Sequence, residues 1–224
     1  MIPIKVTQPS YSRPAVTIIL ISINLLVFLY EFWLGLVDPY YLNHFMEMYS
    51  LRPAYFRPEN VITAMFLHAN WMHVLGNMLF LWVFGDNVED ILGHSKYLLF
   101  YLLCGIAAAM AQVLMDPGSR IPMVGASGAI AGVMGAYLVK FPRSQVVMLT
   151  WFIVIFTFDV PAWLMLVYWF GLQLFGGFGQ IAATANSQGG TAFFAHVGGF
   201  VTGIVLINVL GTRQRYWRRR DLSW

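Results

Sequence analysis

Hydrophobic residues are grouped along the chain into six long runs that few polar side chains interrupt. These runs lie at residues 16–37, 70–86, 96–115, 126–141, 160–178 and 192–210. A helix needs about 20 mostly apolar residues to cross the roughly 30 Å hydrocarbon core of a bilayer. The pattern therefore predicts an all-α, polytopic membrane protein with six transmembrane helices. A seventh apolar stretch, Val146 to Phe158, is too short to span and is predicted to be interfacial or re-entrant.

The composition agrees with a membrane protein and excludes several other classes. Hydrophobic residues make up 59% of the chain and charged residues 10%, whereas soluble domains contain about 45–50% and about 25%. An ordinary soluble globule, a disordered chain, a collagen and a disulfide scaffold are thus excluded. The single cysteine, Cys104, lies inside an apolar run and is interpreted as a packing residue.

Positively charged residues predict the orientation. Of the thirteen Lys and Arg residues, ten fall on the cytoplasmic side if both termini are cytoplasmic, and five of these follow the last apolar run. That basic tail is interpreted as a topology signal rather than a nucleic-acid site. The predicted organisation is a cytoplasmic N-terminal segment at 1–15, a six-helix membrane domain at 16–210 and a basic cytoplasmic tail at 211–224. The predicted outer loops are 38–69, 116–125 and 179–191.

A serine and a histidine open two of the predicted spans on the outer side. Ser127 lies in a GASG sequence at the start of the fourth span, and His196 lies near the start of the sixth. Polar residues inside spans are costly and suggest function. Both spans carry small residues that would let the two backbones approach closely. They are Gly128, Gly132, Gly199 and Gly203.

Because Ser127 and His196 both open spans that enter from the outer side, they are predicted to lie at a similar depth in the membrane. They could therefore form a catalytic pair. A neutral imidazole is suited to take the proton of a serine near pH 7. No acidic residue lies within six positions of Ser127 or His196, so the sequence favours a Ser-His dyad over a triad.

Two further polar residues open the second span, which also enters from outside. His73 and Asn77 are four residues apart and share a helix face. Both can donate hydrogen bonds where a tetrahedral oxyanion would form. His68 lies just before them, and we expect it either to support these donors or to be structural.

These residues resemble the rhomboid family of intramembrane serine proteases. The matching sequences are FLHANWMHVLGN at 66–77, GASG at 125–128 and AHVGG at 195–199, followed by Gly203. The match covers roughly residues 60–210, in the same order and on the same spans. The chain looks like the basic six-span bacterial form.

The resemblance implies an activity and a set of roles. The enzyme would hydrolyse peptide bonds in or beside the transmembrane helices of membrane protein substrates. Ser127 would be the nucleophile and His196 the general base and then acid. His73, Asn77 and the backbone N–H of Ser127 would form the oxyanion hole. The loop near 178–190, with the fifth span, would act as cap and lateral gate.

The resemblance also implies where the protein works and what it needs. We expect an integral protein of a bacterial inner membrane, surrounded by lipid, with its active site open to the periplasmic side. No cofactor, no metal and no nucleic acid partner is expected. A substrate helix must unwind locally before its backbone can be cut.

Two positions depart from the family pattern. Family members often carry a Trp-Arg pair in the first outer loop, where this chain has RPEN at 57–60. Many place an aromatic residue one helical turn after the serine, to stack on the catalytic histidine; here that position is Ala131. Another aromatic residue could replace it.

Other functions remain open in the sequence. The main alternative is a catalytically inactive relative that binds membrane helices. A transporter or channel is less favoured, because no charged residue lies in the middle of a span. A zinc protease would need a His-Glu-x-x-His sequence, which is absent. His68 and His73, five residues apart, are predicted to lie on different helix faces and so not to share a metal.

Overall fold

A computed structural model of the chain describes residues 2–151, 155–182 and 192–211. Its eight α-helices are α1 (Ala15–Val37), α2 (Pro39–Tyr49), α3 (Asn60–Thr63), α4 (Trp71–Leu92), α5 (His94–Met115), α6 (Ser127–Lys140), α7 (Ala162–Ala182) and α8 (Phe193–Val209). Two 3-10 turns, Pro53–Tyr55 and Ala64–Phe66, flank α3. Three strands complete the described elements: β1 (Ile2–Val6), β2 (Gln145–Trp151) and β3 (Ile155–Pro161).

A helix occupies each of the six apolar runs, so the molecule is mostly helical as predicted. Among the described residues, three helical segments are long and apolar enough to cross a membrane: Ala15–Val37, His94–Met115 and Ala162–Gly179. The helices α6 and α8 are apolar but shorter, with 14 and 17 residues. The helix α4 continues six residues beyond the predicted run, and acidic residues lie in its last two turns. The count of six spans stays a prediction.

Helix α6 forms the centre of the bundle, where α4, α5 and α8 surround it. Its residues from Gly128 to Tyr137 are all buried. Glycines on α8 let it lie directly against α6: a Cβ at Gly199 would overlap the carbonyl oxygen of Gly128, and one at Gly203 would overlap that of Gly132. This close approach fixes the two helix starts side by side.

The expected all-α class is wrong for two segments, which form a three-stranded antiparallel sheet. Strands β2 and β3 pair along their length, from Gln145 with Pro161 to Trp151 with Ile155, and β1 pairs with the other edge of β2. The stretch Val146 to Phe158 is rich in β-branched and aromatic residues, which favour strands over helix. Its pairing partner β1 lies about 140 residues earlier in the chain, where a local apolar pattern gives no signal.

Acidic side chains at the end of α4 fix the start of α1. Glu89, which is fully buried, accepts hydrogen bonds from the N–H groups of Val16 and Thr17, each at 2.8 Å, and from His94 Nδ1 at 2.6 Å. A carboxylate in this position satisfies the free N–H groups of a helix start. Asp90 accepts from the N–H of Tyr11 at 2.9 Å. The end of α4 opposite to His73 is therefore held firmly.

At the other end of the bundle, α1 contributes Glu31 to the long loop before α4. Glu31 is 3% exposed, and its carboxylate accepts a hydrogen bond from the backbone N–H of His68 at 3.2 Å. The side chain of Asn60 donates a hydrogen bond to the carbonyl of Ser50 at 2.7 Å and so links two parts of the same loop. These contacts fix the backbone just before the helix that carries His73 and Asn77.

Candidate active site

The structure brings Ser127 and His196 into direct contact. Ser127 is the first residue of α6, and His196 lies in the first turn of α8. The distance from Ser127 Oγ to His196 Nε2 is 2.7 Å, which is a hydrogen bond. His196 is 9% exposed and Ser127 is half-buried. The pair is thus largely shielded, yet the serine oxygen remains reachable.

The start of α8 is held from α5 as well as from α6. Gln112, near the end of α5, accepts a hydrogen bond from the backbone N–H of Ala195 at 3.3 Å. This N–H belongs to the first turn of α8 and also donates to the carbonyl of Ala192 at 3.1 Å. The contact helps to set the position of His196, the next residue.

His73 and Asn77 lie on α4, on the side of the cavity that faces Ser127. The side chain of Asn70 caps α4 by accepting from the N–H of His73 at 2.9 Å. Asn77 is 8% exposed, and its Nδ2 lies 3.0 Å from His68 Nε2. Burial, together with the neighbouring ring of His73, lowers the pKa of His68 to about 4. His68 is therefore neutral at pH 7, and its Nε2 accepts a hydrogen from the Asn77 amide.

The predicted separation of His68 and His73 is wrong. Their ring centroids lie 5.1 Å apart in an edge-to-face arrangement. Different helix faces would separate the two residues only if both lay on one helix, but α4 begins at Trp71 and His68 precedes it. Within the described residues, no third His, Cys, Asp or Glu joins them.

Gly125 shows where the two donors on α4 converge. Its φ of +117° is a conformation that L side chains rarely adopt. A Cβ built there would lie 2.7 Å from His73 Nε2 and 3.4 Å from Asn77 Nδ2. Both nitrogens therefore face the backbone two residues before Ser127. The N–H of Gly125 donates to the carbonyl of Ala64 at 2.8 Å, which holds this loop in place.

One cavity of about 590 Å³ is lined by the side chains of the four candidate site residues, Ser127, His196, His73 and Asn77. This volume lies within the range of about 300–1,000 Å³ that is usual for ligand sites. Most of the other lining residues are apolar, and some lie deeper along the helices than Ser127, including Phe80, Ile130 and Met134. The cavity thus has a polar end at Ser127 and an apolar floor.

Two contacts of His196 come from α7 and were missed by the sequence reasoning. The ring of Trp169 lies 5.7 Å from that of His196 between centroids, tilted by 39°. Gln173 Oε1 lies 2.8 Å from His196 Nδ1. Trp169 supplies the aromatic contact that Ala131, fully buried inside α6, does not. Gln173 carried a signal that was overlooked, since it is a polar residue within an apolar span.

The predicted first outer loop lacks the Trp-Arg pair of the family pattern, and it makes other contacts. Arg57 pairs with the exposed Glu59 at 3.1 Å. Leu51 pairs with Met123 as an isolated β-bridge, which joins this loop to the segment before Ser127. Most of the predicted cap, at 183–191, and nearly all of the basic tail, at 212–224, lie outside the described residues.

Comparison with known proteins identifies the family that this chain is similar to. A family model described as "Rhomboid domain" matches residues 55–213. "Rhomboid-like protein 11, chloroplastic" of Arabidopsis thaliana is 34% identical over 117 residues, which are 49% of this chain and 41% of that protein. "Rhomboid protein 1, mitochondrial" of Saccharomyces cerevisiae is 30% identical over 155 residues, 65% of this chain and 40% of that protein.

A bacterial relative carries the word protease in its name. "Rhomboid protease GluP" of Bacillus subtilis is 40% identical over 78 residues, which are 35% of this chain and 15% of that protein. The regions that match this chain span about two-fifths or less of the length of these three relatives.

Proposed function

This chain belongs to the rhomboid family of membrane proteins, and we propose that it is a serine endopeptidase that cleaves membrane protein substrates in or next to their transmembrane helices. The observation that carries this proposal is the 2.7 Å contact between Ser127 Oγ and His196 Nε2. It is supported by two potential oxyanion donors, His73 and Asn77, on the wall of the same cavity. A purely structural serine would not need this set of groups around it.

The proposed chemistry follows from the positions of these groups. His196 Nε2 takes the proton of Ser127 as the serine oxygen attacks the carbonyl carbon of the scissile bond. The resulting oxyanion accepts hydrogen bonds from His73, Asn77 and the N–H of Ser127. The C–N bond then breaks, the imidazolium gives its proton to the departing amine, and an acyl-enzyme remains. Water, activated by His196, hydrolyses this ester and restores the serine.

The apolar part of the cavity fits a substrate that arrives from the membrane. Residues such as Phe80, Ile130 and Met134 offer no hydrogen bonds to a polar peptide but accommodate apolar side chains. A helix hides its carbonyl groups inside its own hydrogen bonds, so the substrate must unwind near the cleaved bond. We infer that segments with small residues and weak helix propensity are preferred.

The excess of Lys and Arg in the predicted inner segments supports cytoplasmic termini and a cavity that opens on the outer side. We include six transmembrane helices in this proposal. The expected bacterial inner membrane has no support from the comparisons, because named relatives come from chloroplasts and mitochondria as well as from Bacillus.

The test is cleavage of a single-span substrate by the protein in lipid vesicles. We expect Ser127→Ala and His196→Ala each to abolish cleavage while the protein stays folded. Ser95→Ala is the matched control, since Ser95 is exposed at the opposite end of the bundle. Unchanged rates in both Ser127→Ala and His196→Ala would refute the dyad. No cleavage by the wild type would favour an inactive, helix-binding relative.

A further inference from the structure

A buried amide on α7 contacts the nitrogen of His196 that faces away from Ser127. Gln173 lies in the middle of α7 and is 9% exposed. Its Oε1 lies 2.8 Å from His196 Nδ1. A buried amide in an apolar helix is unfavourable unless its polar atoms are hydrogen-bonded, so the partners of Gln173 explain its position.

The second partner of the amide fixes which way it points. Gln173 Nε2 donates to the backbone carbonyl of Trp169, one turn earlier, at 3.4 Å. If the amide were turned around, its oxygen would face that carbonyl oxygen, and neither atom has a hydrogen to share. The oxygen therefore faces His196, and Nδ1 must carry the hydrogen between them.

The hydrogen on Nδ1 determines the state of the rest of the ring. A neutral imidazole has one N–H, so Nε2 is then an acceptor. Nε2 is the atom 2.7 Å from Ser127 Oγ. The hydroxyl of Ser127 consequently donates to Nε2, which is the arrangement that removal of the serine proton requires.

We propose that Gln173 is a positioning residue that holds His196 in the Nδ1–H form and points its Nε2 at Ser127. This inference rests on the proposed protease function. The bond to Oε1 also persists when the ring gains a proton and becomes charged, and a charged donor strengthens it. A neutral amide achieves this without the large cost of placing a carboxylate inside the membrane.

Contacts other than that of Gln173 hold α7 against α8. A substitution of Gln173 can therefore test its role without displacing the helix. Phe170 stacks on Phe200 of α8, with centroids 4.6 Å apart and an angle of 22°. Gly177 faces the ring of Phe194 on α8, where a Cβ would lie 3.1 Å from it. Removal of the amide should therefore leave α7 seated against α8.

The test compares Gln173→Met with Gln173→Glu in lipid vesicles, using a single-span substrate. Methionine keeps the length and flexibility of the side chain but removes the acceptor; glutamate keeps an acceptor oxygen. We expect Gln173→Met to lower kcat by about 10–100-fold, the loss that follows removal of the partner that orients a metal-ligating histidine, with KM unchanged. Glutamate keeps an acceptor for Nδ1–H, so Gln173→Glu should retain a clearly larger fraction of the wild-type kcat than Gln173→Met. Labelling of Ser127 by a fluorophosphonate should slow in parallel with kcat.

The exposed neighbour Leu172 provides the control, because Leu172→Ala changes α7 without touching His196. A Gln173→Met protein with wild-type kcat would overturn the inference, and so would a change confined to KM or an equal loss in Gln173→Met and Gln173→Glu. If wild-type protein neither cleaves nor reacts, the protease proposal itself fails. If the wild type is active and Gln173→Met matches it, the positioning role of Gln173 alone is wrong.

Discussion

Substitution of Gly125 by alanine is the sharpest perturbation of the proposed oxyanion site. The φ of this residue is +117°, and the face on which a Cβ would stand carries His73 Nε2 and Asn77 Nδ2. The alanine would thus strain the backbone and intrude on both side-chain donors. It leaves Ser127, His196 and every proposed donor chemically intact.

The magnitude follows from two separate effects. A non-glycine residue held in this region of φ costs about 1–3 kcal/mol. A Cβ 2.7 Å from His73 Nε2 is closer than real contacts allow, so the imidazole must move. Displacing one oxyanion donor typically costs about 10²–10³ in kcat. We therefore expect kcat to fall about 100-fold or more, with a modest loss of thermal stability.

The assay measures kcat and melting temperature of Gly125→Ala in the same lipid vesicles as the wild type. Gly118→Ala is the matched control, because Gly118 lies in the same loop and a Cβ there meets nothing within 4 Å. A Gly125→Ala protein that keeps kcat within about threefold of wild type, far less than the loss of one donor, would refute the placement of the oxyanion beside Gly125.

Three further perturbations test other parts of the account. Asn77→Ala should lower kcat by about 10²-fold without abolishing cleavage, because two donors remain; complete loss would contradict shared donation. Gly203→Ala should lower stability by about 1–3 kcal/mol through overlap with α6, whereas Gly171→Ala, which meets open space, should not; equal melting temperatures would contradict the close helix contact. The pKa of His68 is lowered to about 4 in the folded protein, so as pH falls the unfolded chain binds a proton at this residue before the folded protein does. The free energy of unfolding should therefore decrease as pH drops from about 6.5 towards 4. His68→Gln should flatten this pH dependence, and an unchanged pH dependence in that variant would contradict the lowered pKa of His68.

The proximity of the polar groups of the candidate site could be predicted from the sequence. Ser127, His196 and His73 each open a helix that starts at the same end of the bundle, and the helix periodicity places Asn77 beside His73. Glycines spaced four apart predicted which two helices touch, and α6 and α8 approach through those residues. The catalytic roles of these residues stay predictions, but their proximity follows from helix geometry.

The contacts that α7 makes with His196, and the three-stranded sheet, could not be predicted from the sequence pattern. Whether Trp169 and Gln173 face His196 depends on the rotation of α7 about its axis. This rotation cannot be predicted for a helix that is apolar on all sides, because no single face is marked as the buried one. Gln173 is neither acidic nor close in sequence to His196, so the absence of a nearby acidic residue gives no information about this partner. The sheet depends on the pairing of β1 with β2 across most of the chain, and a short apolar run alone does not distinguish strand from helix.

The reaction of the folded protein with a fluorophosphonate tests most directly whether His196 activates Ser127. This reagent labels activated serines whatever the natural substrate. We expect labelling at Ser127, located by mass spectrometry, and loss of the label in Ser127→Ala and in His196→Ala. We expect an undiminished label in Ser95→Ala. Labelling of the His196→Ala protein at the wild-type rate would contradict activation by the dyad. A folded wild-type protein that takes no label in lipid and cuts no transmembrane substrate would contradict the protease function.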